Sequence, residues 1–183
     1  LEVKAWAEKS GQSVETAARE LRYRALGRIA ESHHCNKIAL GHHGDDQAET
    51  ILHRFLRGSG LRGLGGMAAI RALESSAAEP LWILRPLLSC RRRQIEDFLR
   101  ERGVPYRSDE TNQSTQFTRN KIRLELLPQL EQQFNPNLSE ALIRLGQVAQ
   151  WNEAYLGQQA KTLFPRILIR QSPGALMLDA HEL

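Results

Sequence analysis

The sequence predicts an α/β protein, a Rossmann-like parallel sheet followed by a mainly helical second domain. Three observations predict it. Two apolar runs of strand length, Lys37 to Leu40 (KIAL) and Leu81 to Leu84 (LWIL), each stand beside a stretch of helical periodicity. The ligand-rich stretch GHHGDDQAETILHRFLRGSG begins where the first run ends, which is where an open α/β sheet presents its crevice. Beyond FNPN the pattern is helical for most of the remaining chain.

Taken in order, the opening LEVKAWAEKSG reads as a strand or a helix. Ser13 can cap a helix from about Val14 to Glu31, since Val14, Ala17, Ala18, Leu21, Ala25, Leu26 and Ile29 recur at helical spacing. Its other face carries Arg19, Arg22, Arg24 and Arg28. KIAL follows as a strand. Asp45 or Asp46 then starts a second helix, with Ala48, Ile51, Leu52, Phe55 and Leu56 as its stripe and Arg57 and Gly58 at its close. GSGLRGLGGM is predicted to be a flexible loop. LWIL is the next strand, and Ser89 is expected to cap a helix running to Arg102 and ended by Gly103. This repeated order favours a parallel sheet. Val104 to Tyr106 is a candidate short extended piece, and SDETNQST a polar loop. QFTRNKIRLELLPQL is predicted helical until Pro128. Asn137 and Glu140 form a capping-box pattern for a helix to about Leu163, with Leu138, Ala141, Leu142, Leu145, Val148 and Ala149 inward. Two strands, Arg166 to Arg170 and Ala175 to Leu178, surround SPG. The break between Leu130 and Asn137 divides the chain into 1–130 and 131–183.

Composition narrows the functional classes. The 183 residues can bury a core without disulfides or a structural metal. Cys35 and Cys90 have no CxxC partner, which fits neither a zinc ribbon nor a secreted framework and favours a reducing cytoplasm. No apolar run reaches the roughly 18 residues of a membrane span, and the opening residues carry no signal-peptide pattern. A net charge of +4 permits an anionic partner without requiring one.

Three constellations carry chemistry. In the first, His42, His43, Asp45, Asp46, Glu49 and His53 are all capable of ligation. Asp46 to Glu49 is also a capping-box spacing, so Glu49 and His53 are assigned to the helix. His42, Asp45 and Asp46 sit where a strand C-terminus meets a helix N-terminus, whose N–H groups and dipole suit an anion. An aspartate there is suited to hold Mg²⁺ or an ammonium group and unsuited to be a general acid. No residue is assigned as a metal ligand of a protein cage. The second is RGSGLRGLGG with Arg57 and Arg62, where glycines permit close backbone approach and arginines pair with phosphate; a plain surface connection is equally consistent. The third is Asp109, Asn112, Arg119, Asn120 and Arg123, in which the two arginines form a two-pronged face at helical spacing. The run Arg91 to Arg93 at a helix start opposes the dipole.

Together HHGDDQAET, RGSGLRGLGGM, RPLL before a basic helix, and DETNQSTQFTRNKIR before LLPQL resemble the tRNA(Ile)-lysidine synthetase family of the N-type ATP pyrophosphatase (PP-loop) superfamily, and ETAARELRYRAL fits the same pattern. The resemblance covers nearly the whole chain, strongest from Ala17 to Pro128. It implies an adenine nucleotide alpha hydrolase-like fold in 1–130, and a helical linker with the start of a second domain in 131–183. It implies ATP with Mg²⁺ as cofactors, and tRNA(Ile) and free L-lysine as partners, with a homodimer as an assembly and no membrane. ATP would adenylate O2 of the wobble cytidine, releasing pyrophosphate; the ε-amine of lysine would then attack C2 and expel AMP. By the same resemblance His42, Asp46 and Arg119 are the catalytic candidates, Asp45 their neighbour, and Arg123, Asn112 and Asn120 their support. Arg57, Ser59, Gly60 and Arg62 would line the tRNA or lysine side.

One family motif is absent. The phosphate-binding SGGxDS turn occurs nowhere in these residues, so the sequence reads as a middle segment that binds ATP poorly by itself and is inactive alone. Three other readings stand beside this one: a PP-loop tRNA thiolase, a metal-dependent phosphohydrolase, and a non-catalytic tRNA-binding module.

Overall fold

A computed structural model describes residues 2–73, 80–106 and 118–180. Asp109 and Asn112 lie outside the described residues. The chain forms two compact units, one of Leu1–His43 with Ala68–Gln94 and the other of Gly44–Met67 with Ile95–Leu183.

The first unit opens with helix α1, Val3–Ser10, ended by Gly11 in the left-handed region. Helix α2 spans Val14–Ser32, and the Ser13 hydroxyl accepts a hydrogen bond from the Thr16 N–H, as the cap pattern predicts. Strand β1 is Lys37–Ala39. Strands β2, Ile70–Leu73, and β3, Leu81–Leu84, complete a sheet of order β1-β3-β2. β1 runs parallel to β3, with Ile38 opposite Ile83. β2 runs antiparallel to β3, with Ile70 opposite Leu84. The expectation of an all-parallel sheet is therefore corrected, and β2 is a strand that periodicity did not reveal. It is an edge strand with Ile70 61% exposed, so it lacks the clean burial alternation that marks a strand in sequence. Ala30, Ile38 and Leu81, packed with Leu26, Leu40 and Leu73, form the core of this unit.

In the second unit, helix α3 spans Gly44–Leu56. Gly58 ends it at φ 72°, with its N–H bonded to the Phe55 carbonyl and the Ser59 N–H to that of Arg54. A single turn, α4 (Leu61–Leu64), lies inside the stretch predicted as a flexible loop. Helix α5, Arg92–Glu101, begins in the first unit and enters the second at Ile95; it starts later than Ser89 predicts, because the Gln94 side chain accepts from the Arg91 N–H and that turn sets the start. Gly103 closes α5 as expected. Val104 to Tyr106 forms no regular strand.

Helix α6, Thr118–Lys121, continues through a π-helical turn at Ile122–Leu126 into α7, Leu127–Gln133. Pro128 therefore sits in the first turn of α7 instead of ending the helix. The wide turn, marked by the Leu127 N–H reaching the Ile122 carbonyl, removes the clash its ring would make with the carbonyl of Leu124.

Helix α8 runs Leu138–Ile167, and Asn137 makes no side-chain cap bond. The Glu131 carboxylate instead takes both the N–H and the hydroxyl of Ser139, which supplants the predicted capping box. Its buried face is Ser139, Leu142, Gly146 and Ala149, while Leu145 and Val148 are exposed. The predicted stripe is thus turned toward small residues. The reason is close packing: a Cβ on Gly146 would meet Ile51 Cδ1 at 2.5 Å. Ala48, Ile51, Leu52, Ile122, Leu127 and Leu142 form the core here. A hairpin of β4 (Leu168–Ser172) and β5 (Ala175–Leu178) follows.

Candidate active site

Within the first unit, the chain leaves β1 through Gly41 to His42. The Arg85 Nε–H donates to His42 Nδ1 at 3.3 Å, its Nη1 to the Ala68 carbonyl at 2.6 Å, and its Nη2 lies 3.5 Å from the Tyr23 hydroxyl. Arg85 directly follows β3 and is 3% exposed. A cavity of about 180 Å³ beside it is lined by Arg22, Tyr23, Leu26, Leu40, Gly41 and His42. The Tyr23 ring also receives Arg19 and Arg71, at 5.2 and 5.0 Å from its centroid. Burial would raise the Tyr23 phenol, but the field of Arg19, the hydrogen bond of Arg71 and the field and hydrogen bond of Arg85 outweigh it and lower it. Burial lowers the Arg19 guanidinium; the Tyr23 phenol acts against it, and the neighbouring arginines add to the lowering. This region is thus strongly cationic.

Within the second unit the charges balance. Asp46 and Glu49 are three residues apart and share one face of α3, as Arg119 and Arg123 share one face of the α6 and π-turn segment. Asp46 Oδ1 accepts from Nη2 of Arg119 at 3.1 Å and from Nη2 of Arg123 at 2.7 Å. Glu49 accepts from Nε of Arg119 at 3.3 Å, and from Nε and Nη2 of Arg123. The Glu49 side chain is 2% exposed. Burial acts against the Arg123 charge, but the hydrogen bonds and fields of Glu49 and then Asp46 raise its guanidinium above the ordinary value. Nη1 of both arginines makes no hydrogen bond among the described residues, leaving donors for an oxyanion.

The structure thus brings Asp46, Arg119 and Arg123 together. Asn120 lies between the two arginines on α6, and Asp45 precedes Asp46 in the first turn of α3. Arg57 and Ser59 follow α3, Gly60 precedes α4 as its N-cap, and Arg62 is on α4, exposed.

The glycine-rich stretch is held by side chains. Gln47 Nε2 donates to the Met67 carbonyl at 3.1 Å, while its Oε1 accepts from the Met67 N–H at 2.7 Å. Arg54 Nη1 donates to the carbonyls of Gly63 and Gly66 at 2.9 and 2.7 Å. Gln150, from α8, donates to the carbonyls of Gly65 and Met67. The loop is a fixed surface.

Sequence reasoning missed several of these residues. The cap spacing of Glu49 masks its role, although a carboxylate set among Ala48, Ile51 and Leu52 is itself a signal of a buried partner. Arg85 is legible in sequence only as part of RPLL, and its place directly after a strand C-terminus is the clue to its role. Gln150 carried no local signal.

The cavity beside His42 in the first unit and, separately, the carboxylate–guanidinium network of the second belong to an α/β protein whose polar sites suit charged substrates. The model of the PP-loop domain family matches residues 1–130, and the chain belongs to that family. It is 43% identical over 143 residues to a tRNA(Ile)-lysidine synthase of Solibacter usitatus, covering 78% of this chain and 31% of that protein. It is 36% identical over 182 residues to one of Clostridioides difficile, covering all of this chain and 38% of that protein. With one of Nostoc it shares 39% identity over 149 residues, 81% of this chain and 42% of that protein. The chain thus spans well under half the length of these relatives. Among solved structures, it resembles the U34-tRNA thiolase NcsA from Methanococcus maripaludis with its [4Fe-4S] cluster, at a TM-score of 0.52 and 17% identity over 73% of this chain and 43% of that one. That likeness shows the fold alone.

Proposed function

We propose that this sequence carries part of the catalytic machinery of a tRNA(Ile)-lysidine synthase. The observation that supports it most is the network in which Asp46 and Glu49 of one motif hold Arg119 and Arg123 of another, 70 to 77 residues later in the chain. Chemistry on an ATP-activated tRNA base needs cationic donors for developing phosphate charge, and lysine needs a carboxylate near its ammonium.

In this reading the O2 atom of the wobble cytidine in the CAU anticodon attacks the α-phosphorus of ATP and pyrophosphate leaves. The lysine ε-amine then forms a bond to C2, AMP departs with the oxygen, and the amine loses a proton. Asp46, with Asp45 beside it, orients the lysine amine or accepts that proton. The remaining Nη1 donors of Arg119 and Arg123 face phosphate oxygen, supported by Asn120 and Asn112. His42 contacts phosphate or the base. Arg57, Ser59, Gly60 and Arg62 line the approach of tRNA or lysine, on the loop that Gln47, Arg54 and Gln150 hold in shape.

The described residues contain no group of three or more His, Cys, Asp and Glu side chains placed to hold a metal. The carboxylates of Asp46 and Glu49 already meet guanidinium groups, so the described residues do not fit a metal cage of their own. Mg²⁺ would arrive on the phosphates of ATP, where it would neutralise phosphate charge. The reading keeps 1–130 as the catalytic part and 131–183 as a helical linker with the start of a second, mainly helical domain. It includes free lysine and tRNA(Ile) as substrates, a homodimer, and a cytoplasmic location, which suits two unpaired thiols. No helix among the described residues is long and apolar enough to cross a membrane.

The test is ATP-dependent transfer of labelled lysine to a tRNA(Ile) transcript bearing CAU, by an enzyme carrying this sequence. Transfer with release of AMP and pyrophosphate is expected. Insertion of sulfur, or phosphodiester hydrolysis without lysine transfer, contradicts the reading.

A further inference from the structure

We infer that Arg85, the arginine of RPLL, is a positioning residue that holds His42 as the neutral tautomer protonated on Nε2. An arginine side chain has five N–H donors and no acceptor, and it stays protonated in proteins. Its Nε–H lies 3.3 Å from His42 Nδ1. That nitrogen must therefore present a lone pair, and the imidazole proton resides on Nε2. An imidazolium would set two donors against each other at that distance, in a region where Arg19 and Arg71 already flank Tyr23.

Arg85 is equipped to impose this geometry. Its backbone N–H is bonded to the Ala69 carbonyl at 2.8 Å, and its side chain is fixed at the far end by the Ala68 carbonyl and the Tyr23 hydroxyl. At 3% exposure the Arg85 guanidinium has little water to bond in place of its protein partners. The same logic orients imidazoles elsewhere: the partner on one ring nitrogen decides what the other offers.

The consequence rests on the proposed reaction. A His42 with Nδ1 engaged and a proton on Nε2 offers a donor and no free base. It serves by donating a hydrogen bond to oxygen, on a phosphate or on the departing AMP, and proton removal from the lysine amine falls to another group.

The closing experiment needs no substrate. In ¹⁵N-labelled protein near neutral pH, long-range ring correlations are expected to show a pyridine-type Nδ1 and a pyrrole-type Nε2 for His42. The Arg85 Nε–H should exchange slowly with water. An imidazolium, an Nδ1–H tautomer, or fast exchange of that Arg85 proton would overturn the inference. In Arg85→Gln the His42 ring should lose its single tautomer; the same tautomer persisting in a folded variant would also overturn it. Should that variant not fold, the native spectrum alone decides. In an active enzyme, Arg85→Gln should lower kcat by about 10–100-fold, and an unchanged kcat would remove the positioning role. Absence of lysine transfer by the native enzyme would overturn the reaction proposed above and leave the tautomer assignment standing, so the two can fail separately.

Discussion

The two units handle buried charge in opposite ways. In the second, two carboxylates meet two guanidinium groups, and each charge lost leaves a buried partner exposed to its own desolvation cost. In the first, Arg19, Arg71 and Arg85 gather around one phenol and an imidazole, held by ring stacking and hydrogen bonds instead of by opposite charge. The lesson is that a balanced network is fragile to the loss of any member, whereas a cationic cluster tolerates neutralisation and favours arriving anions.

The sharpest way to break this contrast is Glu49→Gln. It strips most of the compensation from Arg123 and should destabilise the second unit by about 3 kcal/mol, measured by urea denaturation. Arg19→Gln in the first unit should cost less than 1 kcal/mol by the same measurement, since it removes one stacking contact and also relieves repulsion. Equal losses from the two changes would erase the distinction.

Gly146→Ala probes packing in place of charge. The added Cβ meets Ile51 Cδ1 at 2.5 Å, so a loss of about 1–2 kcal/mol is expected despite the better helix propensity of alanine. A neutral or stabilising effect would show that α3 and α8 have room to part. Gln150→Ala should cost roughly 1 kcal/mol, and its clearer signature is faster amide exchange at Met67, whose carbonyl it shares with Gln47. Unaltered exchange would mean that Gln47 and Arg54 hold the loop without Gln150.

The smallest effect concerns alkaline pH. Because the Tyr23 phenol is lowered in the folded chain, the native state releases its proton before the unfolded state does. Its contribution is present above the unfolded value near 10 and disappears as pH falls through the lowered one. Native protein should therefore gain stability relative to Tyr23→Phe as pH rises into that range, followed by denaturation together with phenolate absorbance. An identical pH dependence for the two proteins would contradict the lowered phenol.

How much of this was legible in sequence depends on how local each cause is. The Ser13 cap of α2, the Gly58 ending of α3 and the strands KIAL and LWIL follow from neighbouring residues, and their patterns read directly. The order of the glycine loop does not, because Gln47 and Gln150 reach it from far along the chain. Asn137 carried a cap pattern, yet Glu131 from the preceding helix took the bonds of Ser139. Pro128 should have ended a helix, and the π turn before it absorbed the conflict. In the candidate site, Asp46, Arg119 and Arg123 were legible as residue types suited to charged substrates. That they meet one another directly, with Glu49 as a second carboxylate between the two arginines, is a fact of tertiary structure, and the part of Glu49 is hidden because it lies within an apolar stripe and mimics a cap.

In the proposed function this network serves lysine and the activated tRNA. Its most direct test is ATP-dependent lysine incorporation into tRNA(Ile) by an enzyme carrying Asp46→Asn, compared with the native enzyme after circular dichroism has shown the variant to be folded. The account predicts a loss of at least about 100-fold, the scale expected when a group acting at the reacting centre is removed. Incorporation at the native rate would contradict it.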